Sequence, residues 1–294
     1  MRIALAIGQL ITPLHNKKPH RLGERSWLYY HLLLRNKYDT ILGRLLPSCI
    51  SFEVIFLSRM RKTHAAAIIV AAGEARRMGA DKQMLELAGV PVLLHTLKAF
   101  EVSPLISEII VVTRTDTLEL VAGLAKTAGI TKLTKVMAGG ETRTESVQNG
   151  LYAVSHRAKL VAIHDGARPL VSQKIILDAV NKAVKYNAAA PAVPVKSTIK
   201  QVQRGYVVST PERSELYEVQ TPQVFDVDLI KGAIAAATKS GKQYTDDCAA
   251  VEAIGATVYI TKGAYENMKL TTPEDLIIAE MFLLSASTED NALS

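Results

Sequence analysis

The stretch AAAIIVAA at residues 65–72, stopped by Gly73, sets the fold class. An unbroken run of small and branched apolar residues bounded by glycine describes a strand buried on both faces, as strands of a parallel sheet read. Working outward, EIIVVT at 108–113 and LVAIH at 160–164 repeat that signature, and residues 132–137 and 188–195 give weaker versions of it. Helical stretches at 92–100, 117–128, 144–156 and 172–186 lie between them. This alternation predicts an α/β domain with a Rossmann-like, mostly parallel sheet and helices on both faces. Such sheets bind ligands at the carboxyl ends of their strands, near the point where strand order reverses. The loops at 73–83, 138–146 and 165–169 are therefore where chemistry is expected.

Residues 196–222 break the pattern. Two short polar strands, 196–203 and 206–210, flank Arg204-Gly205 and predict a protruding β-hairpin. An isolated hairpin is marginal in water, so this one is either an arm exchanged with a second subunit or an ordinary surface hairpin. Helices near 226–238 and 245–254, a strand at 256–261 and a last helix follow. The last helix is signalled by Thr272 as N-cap, Pro273 at the first helical position, and Glu274 and Asp275 in the first turn.

The 294 residues are 48% hydrophobic and 21% charged, which excludes disorder for most of the chain. Residues 1–62 hold 11 Lys and Arg against three acids, a balance of +8, while the whole chain carries +7. The remainder is thus close to neutral, and no nucleic-acid partner is expected. No apolar run reaches the ~18 residues that span a bilayer, so no membrane partner is expected either. Cys49 and Cys248 cannot build a disulfide framework, which suits a cytoplasmic setting. Met60 precedes Arg61-Lys62 and the first strand, and residues 1–59 are expected to be dispensable. The organisation expected is a basic extension at 1–62, a domain at 63–287 with its arm at 195–222, and a tail at 288–294.

The first strand runs into Gly73-Glu74-Ala75-Arg76-Arg77-Met78-Gly79. This is neither a Walker loop nor the Gly-x-Gly-x-x-Gly fingerprint, and no acidic ribose-binding residue supports a nicotinamide enzyme. Backbone N–H groups entering a helix, with Arg76, Arg77 and Lys82 nearby, nevertheless make a concentrated anion site suited to a triphosphate. Arginines facing water after an ordinary strand–turn–helix remain the alternative.

Seven stretches carry a resemblance: AAGEARRMGADKQ (71–83), AGGETRTESVQNGL (138–151), HDGARPLV (164–171), PVKSTIK (194–200), LYEVQTPQVF (216–225), TDDCAAVEAIG (245–255) and NMKLTTPEDL (267–276). In this order over residues 65–284 they resemble the 2-C-methyl-D-erythritol 4-phosphate cytidylyltransferase family. The resemblance implies transfer of cytidylyl from CTP to that acceptor with release of pyrophosphate, in isoprenoid precursor synthesis. It also implies a homodimer interlocked through the arm, and Mg²⁺ held mainly through the CTP phosphates.

By the same resemblance, Arg77 and Lys82 stabilise the transition state, and Arg213 and Lys269 grip the acceptor phosphate, Arg213 reaching the partner's site. Substrate contacts fall to Ala71, Ala72, Gly73, Gly140, Glu141, Ser146, Asp165, Gly166, Arg168, Thr198 and Thr221. Gly139 and Gly140 could equally serve a tight turn before a helix, Arg168 could pin a loop through backbone carbonyls, and helix-dipole stabilisation suffices for Asp246 and Asp247. Ala75 stands where the family usually has a second glycine, the stretch from Met78 to Lys82 is short, and Gly166 replaces a more usual alanine. A monoester oxygen, largely dianionic near neutral pH, needs no general base to attack phosphorus. The physical problem is repulsion between two polyanions, which fixed cations solve. The rivals are a cytidylyltransferase for another alditol phosphate, such as ribitol 5-phosphate, and a non-enzymatic nucleotide-binding protein.

Overall fold

Strand β1 (Ala65–Val70) lies inside the sheet, in parallel register with β4 (Ile106–Thr113) on one side and β6 (Leu160–Asp165) on the other. Both faces and both edges of this strand are covered, so only small and branched apolar residues fit. The computed structural model describes residues 65–73, 84–242 and 244–292, with side chains to residue 285, within the unit Met60–Ser294. The expected extension at 1–62 and the loop at 74–83 lie outside the described residues.

In chain order the remaining elements are β2 (Glu86–Leu87), β3 (Val90–Pro91), α1 (Val92–Glu101), β4, α2 (Leu118–Thr127), β5 (Leu133–Ala138), α3 (Arg143–Ala153), β6, α4 (Gln173–Tyr186) and β7 (Ala188–Pro194). The arm strands β8 (Gln201–Gln203) and β9 (Tyr206–Ser209) follow, then β10 (Tyr217–Val219), β11 (Gln223–Asp226), α5 (Val227–Ser240), α6 (Asp247–Ala253), β12 (Tyr259–Lys262) and α7 (Pro273–Ala292).

The main sheet runs β7-β11-β6-β1-β4-β5, with β12 and β10 also on β7. Alternate residues of each strand face opposite layers. Ala65, Ala67, Ile69, Ile109 and Val111 pack with Leu97, Phe100, Val121, Ile176 and Ala179 of α1, α2 and α4. Ala66, Ile68, Ile110, Val112 and Ile163 pack with Val147, Leu151, Ile230, Ile234 and Val251 of α3, α5 and α6. Helices cover both faces, as the periodicity predicts. Burial of each of the larger side chains among these (Val, Ile, Leu and Phe) contributes about 1.5–3 kcal/mol.

Antiparallel β10 and β11 were not among the expected strands. They lie along one edge of β7, where Val219 opposes Ala192 and Val224 opposes Ala189, so the register slips by two residues between them. The chain bulges there at Gln220, Thr221 and Pro222, and the bulge buries the Gln220 and Thr221 side chains. The hairpin forms where expected, with shorter strands. Arg204 and Gly205 both take positive φ, 50° and 86°, as a two-residue type I′ turn requires. Strand order reverses between β1 and β6, and there the next residues of interest converge.

Candidate active site at the carboxyl edge of the sheet

Val70 and Asp165 end β1 and β6 as paired neighbours, and Gly166 N–H donates to the Val70 carbonyl at 2.9 Å. Ala71 continues alongside β4, donating to Val112 O, and Gly139 donates to Thr113 O just past β5. Residues 71–73, 139–146 and 165–168 are therefore three adjacent loops at one edge, as the topology demands.

The 139–146 loop is held rigidly. Ser146 Oγ accepts from Gly140 N–H (3.1 Å) and donates to Thr142 O (3.0 Å), while Thr142 caps α3 by accepting from Glu145 N–H (3.1 Å). Glu145 reaches back to accept from Glu141 N–H at 2.8 Å. A Cβ on Gly139 would stand 2.5 Å from Ala72 Cβ and 2.7 Å from Ser146 Oγ, so only glycine lets the loop close on β1's exit. The N–H groups of Gly140 and Glu141 are thus occupied within the loop. Among the described residues, the carbonyls of 139–141 accept no hydrogen bond.

Asp165 is the electrostatic centre. Its Oδ2 accepts from Lys269 Nζ at 3.0 Å and faces Arg168 Nε at 3.5 Å, and its Oδ1 lies 3.9 Å from Arg143 Nη2. Burial alone would raise this carboxyl, but Lys269, Arg143 and Arg168 outweigh it and hold it well below the usual carboxylate range. Arg143 also forks onto buried Asp247, with both contacts at 2.8 Å. Burial raises the Asp247 carboxyl, and the Arg143 fork opposes that rise.

Behind Asp165 sits a closed network. Thr221 Oγ1 accepts from Asp165 N–H (3.1 Å) and contacts His164 Nδ1 (2.9 Å); His164 Nε2 contacts Arg168 O (3.2 Å). A carbonyl only accepts, so Nε2 carries the proton, and the Thr221 hydroxyl donates to Nδ1. Burial pushes the His164 imidazole down to about 4 and keeps it neutral. Arg168 Nη1 donates to Asn267 O at 2.7 Å, so the loop-pinning alternative describes one of its contacts and Asp165 the other. Asn267 Nδ2 donates to Gln220 Oε1 (3.1 Å) and Thr221 O (3.0 Å), which fixes the segment that presents Lys269.

The structure brings together Ala71, Ala72, Gly73, Gly140, Glu141, Ser146, Asp165, Gly166, Arg168, Thr221 and Lys269. Thr198 and Arg213 lie exposed in the arm, and Arg213 Nη1 donates only to Lys196 O (3.1 Å) among the described residues. Arg77 and Lys82 lie outside the described residues, as do Ala75 and the short stretch to Lys82. Asp246 does cap α6, accepting from Ala249 N–H at 2.9 Å, but Asp247 turns inward to Arg143. The dipole explanation therefore holds for the first acid and not for the second. Arg143, His164 and Gln220 carried no chemical reading. An arginine in a helix's first turn, against the dipole, was the one available signal.

The sequence model of the 2-C-methyl-D-erythritol 4-phosphate cytidylyltransferase family matches residues 65–285. A protein of that name from Caldanaerobacter subterraneus subsp. tengcongensis is 44% identical over 224 residues, covering 75% of this chain and 99% of its own. One from Halalkalibacterium halodurans is 46% identical over 220 residues, covering 74% and 96%. Among solved structures, the 4-diphosphocytidyl-2C-methyl-D-erythritol synthase of Anaerococcus prevotii has a TM-score of 0.70 at 32% identity, covering 77% of this chain and 99% of its own.

Proposed function

The chain belongs to the 2-C-methyl-D-erythritol 4-phosphate cytidylyltransferase family, and from that premise we propose how its residues transfer cytidylyl from CTP to that acceptor. The observation that carries the reading is Lys269 and Arg168 converging on buried Asp165 where strand order reverses. In-line attack by the acceptor's phosphate oxygen on the α-phosphorus breaks the bond to pyrophosphate, and the two polyanions must first be held together against repulsion.

Lys269 aims the acceptor phosphate. An ammonium has three N–H donors, and Asp165 takes one, which orients the others towards the cleft. Asp165 itself accepts from ribose and acceptor hydroxyls through Oδ1. The free carbonyls of 139–141 accept from the cytosine amino group, a donor that uracil lacks. Arg77 and Lys82 stabilise charge on the triphosphate and leaving pyrophosphate, while Ala71, Ala72 and Gly73 let it approach the backbone.

Asp165 is already paired with Lys269 and Arg168, so Mg²⁺ would be held mainly by the CTP phosphates and water, not by a cage of carboxylates. When bound, the ion neutralises phosphate charge.

The arm at 195–222 interlocks two subunits and delivers Thr198 and Arg213 to the partner's site. Support comes from its apolar residues Val202, Tyr206 and Val207, which are exposed among the described residues. No helix among the described residues is long and apolar enough to cross a membrane, and we place the protein in the cytoplasm. The matched region begins at residue 65, which supports a domain at 63–287 with dispensable residues 1–59; expression from Met60 without loss of activity tests this.

The deciding experiment offers CTP with either 2-C-methyl-D-erythritol 4-phosphate or ribitol 5-phosphate and follows pyrophosphate release. Preference for the erythritol acceptor is expected, and preference for ribitol phosphate overturns the assignment.

A further inference from the structure

Two helix N-termini meet at the site, and the residues joining them carry no assigned role. Arg143 stands in the first turn of α3, where the helix dipole disfavours a cation, and Asp247 in the first turn of α6. Their forked contact, both bonds 2.8 Å, is formed with Asp247 1% exposed. Asp247 is itself fixed, because its N–H donates to Gln223 Oε1 at 3.1 Å, and Gln223 Nε2 is anchored on Asp246 at 2.8 Å.

The Arg143 Nη2 that bonds Asp247 Oδ2 is also the nitrogen that faces Asp165, which makes this more than a structural tie. It lies 3.9 Å from Asp165 Oδ1, near enough for attraction and too far for a hydrogen bond. Lys269 and Arg168 both contact Oδ2, and among the described residues Oδ1 accepts no hydrogen bond. Were Arg143 free, a buried carboxylate so close would draw its guanidinium in and close Oδ1.

We propose that Asp247 is a positioning residue that holds Arg143 back from Asp165, keeping Oδ1 of Asp165 open to a substrate hydroxyl. This rests on the cytidylyl-transfer reading above. It assigns Arg143 a conditional effect: harmless while forked onto Asp247, inhibitory once released.

The test compares wild type, Asp247→Asn, Arg143→Met/Asp247→Asn and Arg143→Lys, with melting curves for each and kcat measured with both substrates saturating, well below melting. In Asp247→Asn the amide donor faces the guanidinium and releases it, so kcat should fall roughly 10- to 100-fold, the scale of a small misplacement at a reacting centre. Removing Arg143 as well should raise kcat above that of Asp247→Asn alone, which a merely structural pair would not do. Unchanged kcat in folded Asp247→Asn, or no recovery in the double variant, overturns the proposal. If Asp247→Asn does not fold, Arg143→Lys decides, since lysine keeps the charge but cannot fork: reduced kcat in a folded protein supports the proposal and wild-type kcat overturns it. Absence of turnover by the wild-type chain would overturn the underlying function, a result distinct from any of these.

Discussion

His164 Nδ1 lies 2.9 Å from Thr221 Oγ1, and that one hydroxyl also accepts from the N–H of Asp165. The last residue of β6 is therefore oriented by a neutral histidine beneath it through a threonine in the β10–β11 bulge. This relationship has a pH signature.

An unfolded histidine has a pKa near 6.5, and burial pushes His164 down to about 4. The unfolded chain therefore takes up the proton first. This group contributes no pH dependence above ~6.5, removes stability as pH falls from there to about 4, and levels off below, with a total loss of about 3 kcal/mol. Asp165, held below the carboxylate range, stays ionised throughout that window. In His164→Gln, which can accept from Thr221 and donate to Arg168 O, melting temperature should depend less on pH between 7 and 4.5; an unchanged slope contradicts the account.

Thr221→Val removes the shared hydroxyl and strands the Asp165 N–H and His164 Nδ1. Each buried group left without a partner costs about 1–3 kcal/mol. Urea denaturation should show a loss of that order for Thr221→Val and little loss for Thr221→Ser.

Gly139→Ala would place a methyl 2.5 Å from Ala72 Cβ and 2.7 Å from Ser146 Oγ. Overpacking of this kind costs about 1–3 kcal/mol, and here it opens the loop assigned to cytosine. A raised KM for CTP and a lower melting temperature are expected together; a KM unchanged in a folded variant removes the loop from the nucleotide site.

Arg213→Ala and Lys82→Ala should each be poorly active alone, and mixing them under conditions of subunit exchange should restore activity if the arm crosses between subunits. Sedimentation should show a dimer. A monomer with full activity would contradict the arm's proposed role.

Much of the sheet was legible because buried parallel strands and amphipathic helices have distinct apolar periods, as Ala65–Val70 and Gln173–Tyr186 show. Strands β10 and β11 were not, because Tyr217, Glu218 and Val219 are all exposed and Gln223–Asp226 is too short to display a period. Lys269 and Asp165 were found through motif resemblance. Arg143 with Asp247, and His164 with Thr221, were missed because each pair is joined only by folding: no local spacing relates a first-turn arginine to a first-turn aspartate of another helix. Asp247 also looked sufficiently explained by its helix end, and only burial shows otherwise.

The most direct test of the central claim follows pyrophosphate when CTP and 2-C-methyl-D-erythritol 4-phosphate are mixed with the wild-type chain and with Lys269→Ala. The account predicts acceptor-dependent release by wild type. In the variant, kcat/KM for the acceptor should fall roughly 10²-fold or more, as for loss of one preorganised cationic contact, with CTP binding largely retained. Wild type without acceptor-dependent release, or a variant that turns over as wild type does, would contradict it.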